Sequence, residues 1–242
     1  MTDKKTVLIT GASGGIGSVM AKLFAREGFH VFVSARSVEK AQPVVEEILN
    51  SGGSAEPLPM DVGDIASIEA AAKNVNERNI ALDALINNAG VNVGQADNIL
   101  DASREDIDVS LKVNGLGPLE TTKAFLPALK AAPHARIVNV STETGSIAET
   151  IDENSAFAFL EGGSYRLSKT MTNAVTGLLT KALRGTEIKV NAMCPGWTAT
   201  DMGGPDAPNS PDVGAALAFN LATLDASGPT GTFVNSDGPL KW

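Results

Sequence analysis

The run Thr10-Gly11-Ala12-Ser13-Gly14-Gly15-Ile16-Gly17 stands between a short apolar segment, Val7-Leu8-Ile9, and an amphipathic stretch from Ile16 to Glu27. A strand that ends in glycines and reopens as a helix narrows the choice of folds sharply. The chain must turn tightly, present backbone N–H groups at the helix start and lay that helix back against the sheet. Gly11 permits the tight exit from the strand. Gly15 and Gly17 remove Cβ atoms where an anion approaches the backbone and where the helix packs closely. The spacing is Gly-x-x-x-Gly-x-Gly, not Gly-x-Gly-x-x-Gly, and its context suits the pyrophosphate of a dinucleotide.

The rest of the chain repeats the strand-then-helix rhythm. Strands are expected over His30–Ala35, Ala55–Met60, Leu82–Asn87, Arg136–Ser141, Ile188–Met193 and Thr232–Asn235. Helices are expected over Val38–Asn50, Asp64–Asn79, Arg104–Val113, Pro118–Ala131, Ser164–Leu183 and Pro211–Leu224. Pro57 and Pro59 weaken the third strand. Strands alternating with helices of this length imply an α/β fold: a Rossmann-type, doubly wound parallel sheet of about seven strands with helices on both faces. No linker or repeat interrupts it, so residues 1–242 form one domain. The least regular segments are 145–163 and 201–210. A substrate site is therefore expected from loops around 141–165 and 195–212.

Composition excludes several classes of function. A net charge of −9 disfavours nucleic acid and anionic membranes, both polyanions. The one cysteine, Cys194, cannot form an internal disulfide, and no cluster of Cys and His has metal-ligand spacing. His30 and His134 are read as incidental. No signal segment and no membrane-spanning run is recognised, so a cytoplasmic location is expected.

At the end of the second strand, where an acid would hold the ribose of NAD, the sequence reads Val33-Ser34-Ala35-Arg36. A guanidinium there suits the 2′-phosphate of NADP(H), and Ser13 adds a hydroxyl donor. Glu39 is a competing partner for Arg36. Farther along, Tyr165 and Lys169 lie four residues apart on one predicted helix, which sets a phenol beside an ammonium. At about 5 Å and an effective dielectric near 20, the cation favours the phenolate by roughly 3 kcal/mol, or about two pKa units. Tyr165 is then a general acid/base.

With these residues in place, the chain resembles the short-chain dehydrogenase/reductases over nearly its whole length, and within them the carbonyl reductases. The likeness rests on Thr10–Gly17, Asp61-Val62, Asn87-Asn88-Ala89-Gly90, Asn114, Tyr165-x-x-x-Lys169 and Pro195-Gly196-Trp197-Thr198-Ala199-Thr200, followed by Asp201-Met202. The ending Gly228-Pro229-Thr230-Gly231-Thr232-Phe233-Val234 and the final Trp242 resemble the carbonyl reductases too. The resemblance implies NADPH-dependent, reversible reduction of a ketone or aldehyde. It assigns cofactor contacts to Gly11, Ser13, Gly14, Gly15, Ile16, Gly17, Asp61, Val62, Asn88, Ala89 and Gly90. Pro195, Gly196, Trp197, Thr198 and Thr200 would face the nicotinamide. Lys169 would also bind the nicotinamide ribose, and Asn114 would hold a water that relays protons to it.

The departure from the family pattern is the third hydroxyl. A serine is usual there, whereas this chain has Val140-Ser141-Thr142-Glu143-Thr144-Gly145. Thr142 falls in the place of the active hydroxyl, with Ser141 the alternative, and alternation along a strand makes equal roles for both improbable. The eight residues between Met202 and Pro211 leave a short lid, which implies an open cleft and relaxed substrate choice. The long segment from Gly145 to Tyr165, with Ile147, Phe157, Phe159 and Leu160, either walls the pocket or covers a helix face used for assembly, leaving monomer and homo-oligomer both open. A non-catalytic NADP-sensing protein on the same fold, and an epimerase or dehydratase with tightly held NAD, are the competing readings. The intact Tyr165, Lys169 and Asn114 disfavour the first, and Arg36 disfavours the second.

Overall fold

The first apolar run forms β1 (Thr6–Ile9), and around it the computed structural model, which describes residues 4–94, 98–158 and 160–242, builds an 8-stranded sheet. Phe159 lies outside the described residues. The sheet runs β3 (Ser54–Pro59), β2 (His30–Ala35), β1, β4 (Ala84–Asn87), β5 (Arg136–Val140), β6 (Lys189–Met193), β7 (Phe233–Asn235) and β8 (Gly238–Pro239). Every neighbouring pair is parallel except β7 with β8. The eighth strand is a two-residue hairpin return, too short to show as a pattern. β3 carries its prolines because it is an edge strand, where a missing N–H costs little.

Alternate residues of each strand feed opposite cores. Val7 and Ile9 join one cluster with Met20 and Phe24 of α1 (Gly15–Arg26) and Ala215 and Ala218 of α8 (Pro211–Ala222). Leu8 joins the other, with Ile68 of α3 (Ile65–Glu77), Phe125 of α5 (Gly117–Ala131) and Val175 of α7 (Gly163–Ala182). Both faces are covered, so the strands are apolar throughout rather than alternating. Phe24 and Phe125 are fully buried, each contributing about 1.5–3 kcal/mol.

The direction of β strand order reverses between β1 and β4, which opens a crevice at their carboxyl ends. Thr10 and Asn88 stitch its two lips together. Thr10 Oγ1 accepts from the Asn88 and Ala89 N–H groups at 3.0 Å each, and Asn88 Nδ2 donates to the Thr10 and Gly11 carbonyls at 2.9 and 3.2 Å.

One element differs in kind from its expectation. The stretch from Arg104 to Ala131 is a single helical run in which α4 (Arg104–Ser110) passes into a π-helical segment, Leu111–Leu116, and then into α5. Periodicity near 3.6 residues does not reveal a π turn, and such turns concentrate at functional sites. Residues 145–163 hold a short α6 (Ile147–Ile151) followed by turns. The Arg166 guanidinium pins them by donating to the Phe157 and Leu160 carbonyls and to Thr150 Oγ1. No described helix is long and apolar enough to cross a membrane.

Candidate active site

Four of the eight described α-helices start on a side-chain cap, as where Asp64 accepts from Ala66 N–H at 3.0 Å and Ser103 from Asp106 N–H at 3.0 Å. α1 does not. Its N-cap is Gly14, which offers no side chain, and its first turn carries no acid. The first-turn N–H groups and the positive end of the helix dipole therefore open directly onto the crevice. Gly11, at φ +64°, sits so close to the neighbouring lip that a Cβ would lie 2.8 Å from Ala89 Cα. A Cβ on Gly17 would meet the Gly11 carbonyl oxygen at 2.4 Å. A Cβ on Gly14 would meet nothing within 4 Å, so the cradle is open toward the cleft and closed toward the sheet. These features fit a dinucleotide phosphate.

The cleft has a volume of 650 Å³. Gly11, Ser13, Gly14, Gly15 and Ile16 line its floor, with Asp61, Val62, Asn88, Ala89 and Gly90 along the opposite lip. Asp61 is fixed by accepting the Gly63 N–H at 2.8 Å. Arg36 stands exposed at the far end, and Lys40 joins it. Among the described residues neither cation is in an ion pair, so Glu39 does not take Arg36. Lys40 escaped the sequence reading. It lies in the first turn of α2 (Val38–Asn50), where a cation opposes the helix dipole, and that misfit was the available signal.

At the other end, Ser141, Tyr165, Lys169, Pro195, Thr200, Asp201 and Met202 reach the cleft. Six anticipated residues do not line it: Gly17, Asn114, Thr142, Gly196, Trp197 and Thr198. Gly17 packs α1 on the loop. Thr198 Oγ1 donates within its own turn to the Pro195 and Gly196 carbonyls. Trp197 is exposed, with its indole N–H donated to the Gly203 carbonyl at 2.8 Å. Residues 203–210 form no helix and fold back on residues 197–200, with the Gly204 N–H donating to the Thr200 carbonyl at 2.8 Å and the Ala199 N–H to the Asn209 carbonyl at 2.9 Å. Among the described residues of 147–160, none lines the cleft.

Asn114 is a brace. Its side chain accepts the Val91 N–H and donates to the Val91 carbonyl and Ser168 Oγ, all at 2.8 Å. It ties the loop after β4 to α7, with both amide protons used. Its backbone carbonyl accepts from Thr172 Oγ1 at 2.8 Å.

Tyr165 and Lys169 share a face of α7, with Nζ 5.8 Å from the phenol ring centroid. Lys169 Nζ donates to the Val140 carbonyl at 2.8 Å. Burial pushes the lysine down to about 8, offset in part by the nearby Cys194. Burial also raises the Tyr165 phenol, and Cys194 adds to that. The lowering expected from Lys169 does not appear: loss of hydration sets the direction of the phenol's shift. Cys194 itself is pushed up to about 11, chiefly by burial. Tyr165 holds its proton, beside an amine that titrates near neutrality. His30 and His134 lie elsewhere, against Glu56 and Glu187.

A wider groove of 780 Å³ runs between α1, α2 and α8. The Lys22–Glu47 ion pair occupies it, and it is remote from Tyr165, so size alone does not mark the site.

A crevice at a sheet's switch point, an uncapped glycine helix start and a half-buried tyrosine beside a buried lysine define a dinucleotide-binding oxidoreductase. A family model described as short chain dehydrogenase matches residues 5–210, and the chain belongs to that family. Carbonyl reductase [NADPH] 1 of Sus scrofa is 31% identical, the alignment covering 100% of this chain and 95% of that protein. Oxidoreductase UcpA of Salmonella typhimurium is 34% identical over 91% of this chain and 82% of its own length. Among solved structures, an NADPH-bound carbonyl reductase from chicken fatty liver superposes with a TM-score of 0.86 at 31% identity, covering 99% of both chains. Carbonyl reductase Sniffer of D. melanogaster gives 0.84 at 29%, covering 99% of this chain and 100% of that one.

Proposed function

We propose that this chain is an NADPH-dependent carbonyl reductase, reducing a ketone or aldehyde reversibly to an alcohol. One observation carries the reading: Tyr165 and Lys169 open into the same cleft as the uncapped start of α1 and the Arg36–Lys40 pair. The cofactor would lie along Gly11–Ile16, with its 2′-phosphate toward Arg36 and Lys40 and its adenine toward Asp61 and Val62. The names of the mammalian and avian relatives support the same cofactor and substrate class. When bound, the nicotinamide supplies a hydride to the carbonyl carbon.

The chain's own residues handle the oxygen. As negative charge grows there, Tyr165 donates its proton. A phenol held neutral by burial is in the right state for that at pH 7. Thr142 donates a second hydrogen bond to the same oxygen. Lys169 orients the ribose and steadies the phenolate that Tyr165 leaves behind. Asn114 fixes the π-helical segment against α7, and its backbone carbonyl would hold a water. Pro195 and Thr200 border the nicotinamide.

The direct test is loss of NADPH absorbance with a panel of aromatic ketones, quinones and aldehydes. Turnover of at least one class is expected, with NADPH preferred over NADH by about tenfold or more. NADPH binding without consumption across the panel would point instead to a sensor.

A further inference from the structure

Two adjacent hydroxyls compete for one role at the end of β5: Ser141 lines the cleft and Thr142 is the next residue, outside the lining, and their hydrogen bonds decide which has a proton to give. Ser141 is buried, and its Oγ donates to Asn173 Oδ1 at 2.6 Å. A hydroxyl has one proton, and this one is committed. Thr142 is half-buried, and its Oγ1 meets only its own turn: it accepts from the Thr144 N–H at 3.3 Å and lies 3.2 Å from Thr144 Oγ1.

Asn173 also holds the far end of that turn. Its Nδ2 donates to the Gly145 carbonyl at 3.1 Å. Gly145 in turn lies flat on α7, where a Cβ would fall 2.8 Å from Lys169 Cβ. Within the turn, the Gly145 N–H bonds the Thr142 carbonyl at 2.9 Å. One amide thus grips residue 141 with its oxygen and residue 145 with its nitrogen, and Thr142 rides between the two grips. Asn173 is itself buried, four residues beyond Lys169 and eight beyond Tyr165, on the same helical stripe. A second anchor acts from the opposite side: Asn235 Nδ2 donates to Glu143 Oε1 at 2.9 Å.

We infer that Asn173 is a positioning residue that fixes the Thr142 hydroxyl relative to the Tyr165 phenol and, by occupying Ser141, assigns the active hydroxyl to Thr142. This rests on the carbonyl-reductase reading above. The rigid stripe Tyr165–Lys169–Asn173 acts as a ruler: the helix that carries the acid also holds the loop that carries its partner. A displacement near 1 Å of such a group lowers turnover by up to ~100-fold.

The test combines kinetics with hydrogen exchange. Asn173→Ala is expected to lower kcat about 10- to 100-fold, with KM for NADPH unchanged within about threefold. In a Thr142→Ala background the same change should add almost nothing, because it acts through Thr142. Ser141→Ala, which removes one grip only, should give a smaller loss and serves if Asn173→Ala does not fold. Amide exchange over residues 141–146 should quicken in Asn173→Ala and Ser141→Ala alike. That readout needs no turnover, so it stands apart from any failure of the wild type to reduce carbonyls. The inference is overturned if Asn173→Ala keeps full kcat, if the double variant falls by the product of the single losses, or if Ser141→Ala abolishes turnover while Thr142→Ala does not.

Discussion

At the Arg36 end of the cleft the cations stand in water, whereas at the Tyr165 end Lys169 is buried and Tyr165 half-buried. The contrast sets what each end can do. Exposed cations such as Arg36 and Lys40 keep their charge, cost little to place and are screened by salt. Such cations can meet a phosphate without disturbing the fold. Lys169 and Tyr165 have lost their hydration, so their protonation answers to their surroundings, and the lysine falls to about 8. Recognition can be written on a surface residue by residue. Proton chemistry requires an interior.

The largest effect tests the buried end. Tyr165→Phe keeps the ring and removes the proton donor, and kcat should fall about 10²- to 10⁴-fold. NADPH affinity, measured by fluorescence titration, should change little. Retained turnover would move the acid elsewhere.

At the exposed end, Arg36→Ala should cost about 1.5–3 kcal/mol in NADPH binding, roughly 10- to 100-fold in kcat/KM. Its effect on NADH should be slight. Lys40→Ala should follow with a smaller, salt-sensitive loss, as a point charge without the guanidinium fork. Equal losses for NADPH and NADH in either variant would mean that neither side chain reads the 2′-phosphate.

Between the ends, the glycines divide the cradle into a packed side and an open side. Gly17→Ala forces a methyl against the Gly11 carbonyl and should destabilise the fold by about 1–3 kcal/mol in chemical denaturation. Gly14→Ala meets open space and an extended backbone, so stability should hold within about 0.5 kcal/mol. A weakening of NADPH binding by Gly14→Ala would then report cofactor contact alone. The contrast breaks if both variants unfold equally.

The smallest effect is a stability shift with pH. Lys169 releases its proton near pH 8 when folded and near 10.5 when unfolded. Above pH 8 the unfolded chain therefore holds the extra proton, and stability rises with pH, by at most about 1.4 kcal/mol per unit. Cys194, raised from 9.0 to about 11, acts in the opposite sense above pH 9, as does Tyr165 above 10. The gain is thus confined to pH 8–9. Wild type should gain about 1 kcal/mol over Lys169→Met across that window in urea denaturation. A constant difference between the two would show that the amine is not desolvated.

The exposed end was legible in the sequence because its chemistry is local. A glycine cradle between strand and helix, and an arginine at the strand's end, fix their own surroundings within a few residues. Lys40 escaped because only its place in the first turn of α2, against the helix dipole, could have marked it. The alternation of strands and helices likewise implied the parallel sheet, and the covered faces followed from strands that are apolar on both sides. The eighth strand escaped because two residues carry no pattern, and the π-helical segment because its period resembles an α-helix over one turn.

The buried end was legible only in part. Spacing placed Tyr165 beside Lys169, but the size of their mutual influence depends on the water excluded around them, which no spacing states. Ser141 and Thr142 are neighbours in the chain, and what distinguishes them is an amide thirty residues away. The sequence by itself determined which groups are present, which of them share a helix face and how the sheet is wound, because these follow from periodicity and backbone sterics. Tertiary structure alone decided which groups are dry, which hydroxyl is already bonded and that Asn114 and Asn173 are held as braces, because desolvation and hydrogen-bond partnership are properties of what surrounds a residue in space.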